Sequence, residues 1–168
     1  NAPIRTLDDP RNHLFKEFIR VVELVKPTAV LIENVPGIIS LGKGTVIQQI
    51  YISLKKLGYS VNHRILFAGH YGVPQMRFRT IILGLRSSKT IKFPLPEYYS
   101  TAVANFSGSK ELCFNLTPID QLLLKPQTTV WDAIGDLPEI DGGAKMGDFP
   151  YSSPPATEYQ RYLRDGAS

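Results

Sequence analysis

A run of small and β-branched residues closed by prolines at both ends, TAVLIENVPG from Thr28 to Gly37, constrains this chain more than any other stretch. β-Branched side chains crowd a helix and suit a pleated surface, and Pro27 and Pro36 bar helix continuation, so Thr28 to Ile32 reads as a short buried strand. Glu33 stands at its end. In an open parallel α/β sheet the carboxyl ends of strands face the ligand crevice, which puts that carboxylate where chemistry is done. The alternative is a solvated turn residue, with Asn34 and Gly37 simply breaking the strand.

The flanking segments supply the rest of a layered domain. Leu14, Phe15, Phe18, Ile19, Val22 and Val25 recur at helical spacing between Arg11 and Val25, with Asp9 as a cap, Pro10 in the first turn and Pro27 as the stop. After Gly42 and Gly44, the positions Val46, Ile47, Ile50, Leu54 and Leu57 mark a second amphipathic helix ended by Gly58. Val61 to Ala68 alternates as a strand does, and a tight loop leads to TIILGL, Thr80 to Leu85, a strand apolar on both faces as in a sheet covered by helices. Helix, strand, helix, strand, strand is the order of one half of a doubly wound α/β domain.

Past Arg86 the texture changes to Pro, Ser, Thr and aromatic residues without sustained periodicity, apart from a turn at Asp120 to Leu124. This predicts a long irregular excursion, with residues 1–90 forming the core and 91–168 a linker and the beginning of a further region. Thr129 to Leu137 predicts a short capped helix, in which Trp131, Ile134 and Leu137 anchor the excursion to the core. DGGAKMGD reads as a flexible loop and Thr157 to Arg164 as a last helix. No internal repeat is present. Phe93, Pro94, Pro96, Tyr98 and Tyr99 suit a linker packed on the sheet better than a base-stacking platform.

Composition narrows the classes. With 168 residues, 43% hydrophobic and 20% charged, the chain fits one globular core. No apolar run approaches the roughly 20 residues that cross a bilayer, so the expected setting is cytoplasmic, or nuclear in a eukaryote, with no membrane partner. One cysteine, Cys113, excludes an internal disulfide and a cysteine-based zinc site, and it reads as a structural thiol. His13 and His70 read as local hydrogen-bonders or surface groups. A net charge of +4 without a basic block permits a polyanion partner without requiring one. The chain opens without methionine in a polar stretch, and the expectation is a piece of something longer.

A second cluster, GVPQMRFR from Gly72 to Arg79, matters alongside Glu33. In an extended segment Gln75, Arg77 and Arg79 point one way, while Met76 and Phe78 anchor the back. Two guanidiniums so spaced grip a phosphate, a carboxylate or a base edge. An exposed polar strand face is the bland alternative.

Together these clusters resemble a known family. The ENV of Glu33, Asn34 and Val35, followed by YGVPQMRFR from Tyr71 to Arg79, is similar to the sixth and eighth motifs of the DNA cytosine-5 methyltransferases. DDPRNHLF, Asp8 to Phe15, resembles the fifth, while TVWDAIGDLPEI and SPPATEYQRYLR resemble the stretch that leads into the target-recognition region. The resemblance implies a Rossmann-like S-adenosylmethionine-dependent sheet followed by the irregular start of that region. It implies transfer of a methyl group from S-adenosylmethionine to C5 of a cytosine flipped out of double-stranded DNA, after attack by a cysteine thiolate on C6.

By the same resemblance Glu33 contacts the exocyclic amine and N3 of the base, and Asn34, with Val35, fixes the turn beside it. Arg79 addresses the cytosine O2 and orients Glu33, Arg77 lies near the nucleophile or the DNA backbone, and Gln75 shapes the same wall. Leu14 packs on the cofactor's adenine, and Arg11 contacts a phosphate. The family's Pro-Cys nucleophile motif and its glycine-containing cofactor loop are not in this sequence, so the expectation is an internal segment inactive without the rest of its chain. The competing expectations are a non-catalytic DNA-binding or regulatory module that keeps the base pocket, and an RNA cytosine methyltransferase.

Overall fold

A computed structural model describes residues 14–87, 90–100, 109–143 and 147–165. Asp9, Pro10, Arg11 and His13 lie outside the described residues, as does the centre of the DGGAKMGD loop. Helix α1 (Leu14–Val25) leads into β1 (Ala29–Asn34), then α2 (Thr45–Lys56), β2 (Ser60–Phe67) and β3 (Phe78–Leu85). The order is the one the hydrophobic pattern predicts, and Glu33 falls inside the strand, next to its last residue, rather than beyond it.

The three strands form one sheet in the order β1-β3-β2, with β3 antiparallel to both neighbours. The crossover through α2 brings β2 back in the direction of β1, as a helical connection does. The link from β2 to β3 is short and its ends are tied by Ala68 N–H donating to the Arg77 carbonyl at 2.8 Å. Such a link returns the chain only antiparallel, so β3 slots between two strands that run alike.

Both helices cover one face of this sheet. Val22 of α1, Val46, Ile47, Ile50 and Leu54 of α2, and Val30, Tyr59 and Ile82 from the sheet side form the core, joined by Ile38. Each side chain of this size contributes roughly 1.5–3 kcal/mol when fully buried. Periodicity places Leu14 and Val25 on that inner stripe, yet both are exposed, because the face of α1 that meets α2 is set by Phe15, Phe18, Ile19 and Val22. The other face of the sheet is open at Leu31, and there Arg64 of β2 stacks on Phe114 at 4.4 Å.

The excursion carries more regular structure than its composition suggests. β4 (Tyr98–Tyr99) pairs in parallel with β5 (Lys125–Pro126), flanking α3 (Ser109–Leu112) and α4 (Pro118–Leu123). Thr117, Thr129 and Thr157 each accept from the backbone N–H three residues on, at Asp120, Asp132 and Gln160, whose side chains reach back to the cap. These capping boxes start α4, α5 (Val130–Ile134) and α6 (Glu158–Arg164). Trp131 does not anchor to the core: it is 76% exposed, and α5 holds to α6 through Thr157 Oγ1 donating to the Asp132 carbonyl at 2.6 Å. Arg164 Nε also donates to the buried Asp136 at 2.9 Å.

Capping holds two carboxylates below the usual range: backbone and side-chain hydrogen bonds from Thr117 act on Asp120, and the hydroxyl and N–H of Thr129 act on Asp132. A carboxylate depressed in the folded state stabilises it above the unfolded pKa, and the contribution is lost as pH falls through the folded value. Carboxyl NMR titration of Asp120 and Asp132 is expected to give midpoints below the 3.8 of an unperturbed aspartate, and midpoints at or above it would contradict the capping geometry.

Candidate active site

The site is built where β1 ends beside the start of β3. Glu33 pairs with Ile81 and Asn34 with Thr80, which leaves Arg79 one diagonal step from Glu33 on the same face. Diagonal neighbours lie roughly 7–8 Å apart, a gap that a glutamate and an arginine close together. Arg79 Nε meets Glu33 Oε1 at 2.7 Å, and Arg77 Nη2 meets the same oxygen at 3.4 Å. Arg79 Nη1 donates to the carbonyl of Phe78 at 2.8 Å, so its guanidinium is held at two points.

The side chains of Arg79 and Glu33 are 25% and 47% exposed, and a pair this open contributes about 0–1 kcal/mol. Its value lies in geometry. Both cations make their closest approach at Oε1, and the Glu33 side chain, 47% exposed, stays open to a ligand. An acceptor oxygen beside fixed donors suits a planar ligand edge that offers both a donor and an acceptor.

The turn after Glu33 is pinned locally. Asn34 Oδ1 accepts from the N–H of Val35 at 2.8 Å, and the chain enters a 3-10 turn at Pro36–Ile38. Val35 itself is exposed. The loop before Arg77 differs from the expected extended segment. A 3-10 turn at Ala68–Tyr71 ends at Gly72 with positive φ, and then Gln75 N–H bonds Val73 O and Arg77 N–H bonds Gln75 O. Bonds of this two-residue span fold the backbone tightly and break strict alternation. Gln75 is therefore exposed and does not join Glu33, whereas Arg77 and Arg79 do. Met76 does not anchor the back: it is 64% exposed, with its sulfur accepting from Gln127 Nε2 at 3.7 Å. Phe78 packs inward against Phe67 as expected.

Leu14, the candidate cofactor contact, presents an exposed apolar side chain at the first described turn of α1, and Arg11 lies outside the described residues. Cys113 is half-buried, and burial pushes its thiol up more than Arg64 pulls it down, so the thiolate is disfavoured. Burial also pushes His70 down, edge-on to Phe67, and its ring stays neutral near pH 7. Sequence patterning does not reveal the hydrogen bond of 2.6 Å between Tyr51 Oη and His63 Nδ1, which ties α2 to β2. Tyr51 is pushed up to about 12 by burial, so its hydroxyl stays protonated. Among the described residues no group of three or more His, Cys, Asp and Glu could hold a metal ion, and no helix is long and apolar enough to cross a membrane.

Comparison with known proteins bears on what this arrangement serves. A type II methyltransferase of Haemophilus parahaemolyticus is 34% identical over 94% of this chain, which spans 43% of that protein. A DNA (cytosine-5)-methyltransferase of Oryza sativa is 30% identical over 95% of this chain and 15% of its own length. A solved prophage-encoded protein of E. coli, provisionally assigned as a DNA modification methyltransferase, superposes with a TM-score of 0.56 at 23% identity, covering 86% of this chain and 35% of that one. It shares the fold, a methyltransferase α/β fold. The chain spans less than half the length of these relatives. The family model for C-5 cytosine-specific DNA methylases matches residues 4–147, and with Glu33, Arg77 and Arg79 gathered at one strand end the chain belongs to that family.

Proposed function

We propose that this chain is the base-holding part of a DNA (cytosine-5)-methyltransferase acting on a cytosine flipped from double-stranded DNA. The observation that carries the reading is the convergence of Arg79 and Arg77 on one oxygen of Glu33, a side chain that is 47% exposed. Cytosine offers along one edge an exocyclic amine, N3 and O2. Glu33 Oε2 accepts from the amine or shares a proton at N3, and the guanidinium of Arg79 donates to O2. Electron density that builds on the ring during attack at C6 is then met by a positive group and a proton source already in place.

Arg77 meets the same oxygen of Glu33 as Arg79 and keeps the side chain oriented. Asn34 sets the turn at Val35, and Gln75, exposed and apart from Glu33, is open to the DNA. Arg11 is proposed as a phosphate contact. The methyl group is supplied by S-adenosylmethionine, for which the exposed Leu14 offers an apolar surface to the adenine. Residues 1–90 serve as the catalytic-core portion and 91–168 as linker and start of the target-recognition region. The Pro-Cys motif of the family is not in this sequence, and the half-buried Cys113 with its raised pKa is unsuited to replace it. Catalysis is accordingly assigned to a longer chain, in the cytoplasm beside the nucleoid or in a nucleus, and the segment by itself is inactive.

In the complete enzyme, Glu33→Gln is expected to lower the single-turnover methyl-transfer rate about a hundredfold or more with duplex affinity kept. Unchanged transfer would remove the role given to Glu33. Arg79→Ala is expected to reduce capture of the extrahelical base, read as a weaker 2-aminopurine signal beside the target, again at unchanged duplex affinity. A wild-type signal would remove the role given to Arg79.

A further inference from the structure

The base-holding reading leaves open what keeps the Arg79 guanidinium in register. One of its two anchors is the carbonyl of Phe78, and Phe78 forms with Phe67 the last rung of the β2–β3 ladder. The two rings lie 4.5 Å apart at 30°, and His70 meets Phe67 edge-on at 5.2 Å. Phe67 is fully buried. Its ring fills space that only glycine at position 69 leaves: a Cβ there would overlap Cε1 of Phe67, lie 2.9 Å from Cζ, and sit 3.0 Å from Cδ of Gln127.

We propose that the Phe67–Phe78 stack, with Gly69 beneath it, is a positioning device for Arg79: it fixes the Phe78 carbonyl, and that carbonyl aims the guanidinium at Glu33. The inference rests on the base-holding role of Arg79 given above. Tilting of the Phe78 residue moves its carbonyl, the Nη1 hydrogen bond lengthens, and the guanidinium keeps only its Nε contact to Glu33. Catalytic geometry is sensitive at this scale, since a displacement of roughly 1 Å costs up to about a hundredfold in rate. Phe67 and Phe78 are positioning residues; neither touches substrate in this account.

The test uses the complete methyltransferase. Phe78→Leu and Phe67→Leu keep apolar volume but lose the stack, and Gly69→Ala keeps both rings while displacing one, so a fold lost in one variant leaves the others to decide. Folding is checked by circular dichroism, and single-turnover rate, duplex affinity and 2-aminopurine signal are read for each. The expected result is a fall in rate of about tenfold at unchanged duplex affinity. In an Arg79→Ala background, Phe78→Leu is expected to add no further loss, because the stack acts through that arginine. A purely structural stack would lower the rate equally in both backgrounds, and that outcome, or wild-type rates in the folded stack variants beside an impaired Arg79→Ala, overturns the inference alone. Wild-type base capture by Arg79→Ala overturns the base-holding reading first, and the inference with it.

Discussion

One carboxylate oxygen receiving two guanidiniums is the constraint around which the described structure makes sense. Glu33 sits next to the end of a strand, where a lone carboxylate would sample several rotamers in water. Arg79 and Arg77 restrict that freedom by meeting Oε1, and what remains is a carboxylate of fixed direction. Such an open pair adds little to stability, so its geometry has to be fixed by the backbone beneath it. The antiparallel insertion of β3 does this: it puts Ile81 opposite Glu33 and hence Arg79 one diagonal away. Had β3 run parallel, the short link from β2 would not have reached, and the arginine run would not enter the sheet beside the end of β1.

The two halves of the chain use different means of holding shape. Around the sheet, apolar burial under α1 and α2 dominates, with Tyr59 Oη donating to the Pro27 carbonyl at 2.6 Å to tie the start of β1 to the strand after α2. Past residue 90 the elements are too short to bury a stripe, and polar devices replace the core: three threonine capping boxes, the ion pair of Arg164 with the buried Asp136, and the arginine's stacking on Tyr151. The consequence is a second half whose apolar side chains, Ile119, Leu122, Trp131 and Leu163 among them, face outward.

How much of this is legible in the amino-acid order depends on the range of each signal. Periodicity reports on a residue and its near neighbours, so α1, α2, β2 and β3 are readable to within two or three residues at each described end, and Gly58 with its positive φ ends α2 as expected. Thr129 and Thr157 announce their helices; Thr117-x-x-Asp120 carries the same signal, although composition there suggests only a turn. Strand order is not readable, because it depends on which strands meet in space. Alternation misplaces Met76 and Gln75 because it assumes an extended backbone, and the tight bonds at Val73 and Gln75 remove it. Size alone assigns Trp131 to the core, yet exposure depends on what packs over a residue. The Glu33–Arg79 pairing is reached by combining two separately weak motifs. The stack of Phe67 on Phe78 spans two strands, and no local pattern marks it.

The central claim is that Arg79 is held on Glu33, and the mobility of its guanidinium reports on it directly. In isotope-labelled complete protein, NMR of arginine side chains measures how fast each guanidinium rotates about its Cζ–Nε bond. The account predicts slow rotation for Arg79 that becomes fast in Glu33→Ala, set against the exposed Arg161 as reference. An Arg79 guanidinium that rotates as fast as that of Arg161, and is indifferent to the loss of Glu33, would contradict it.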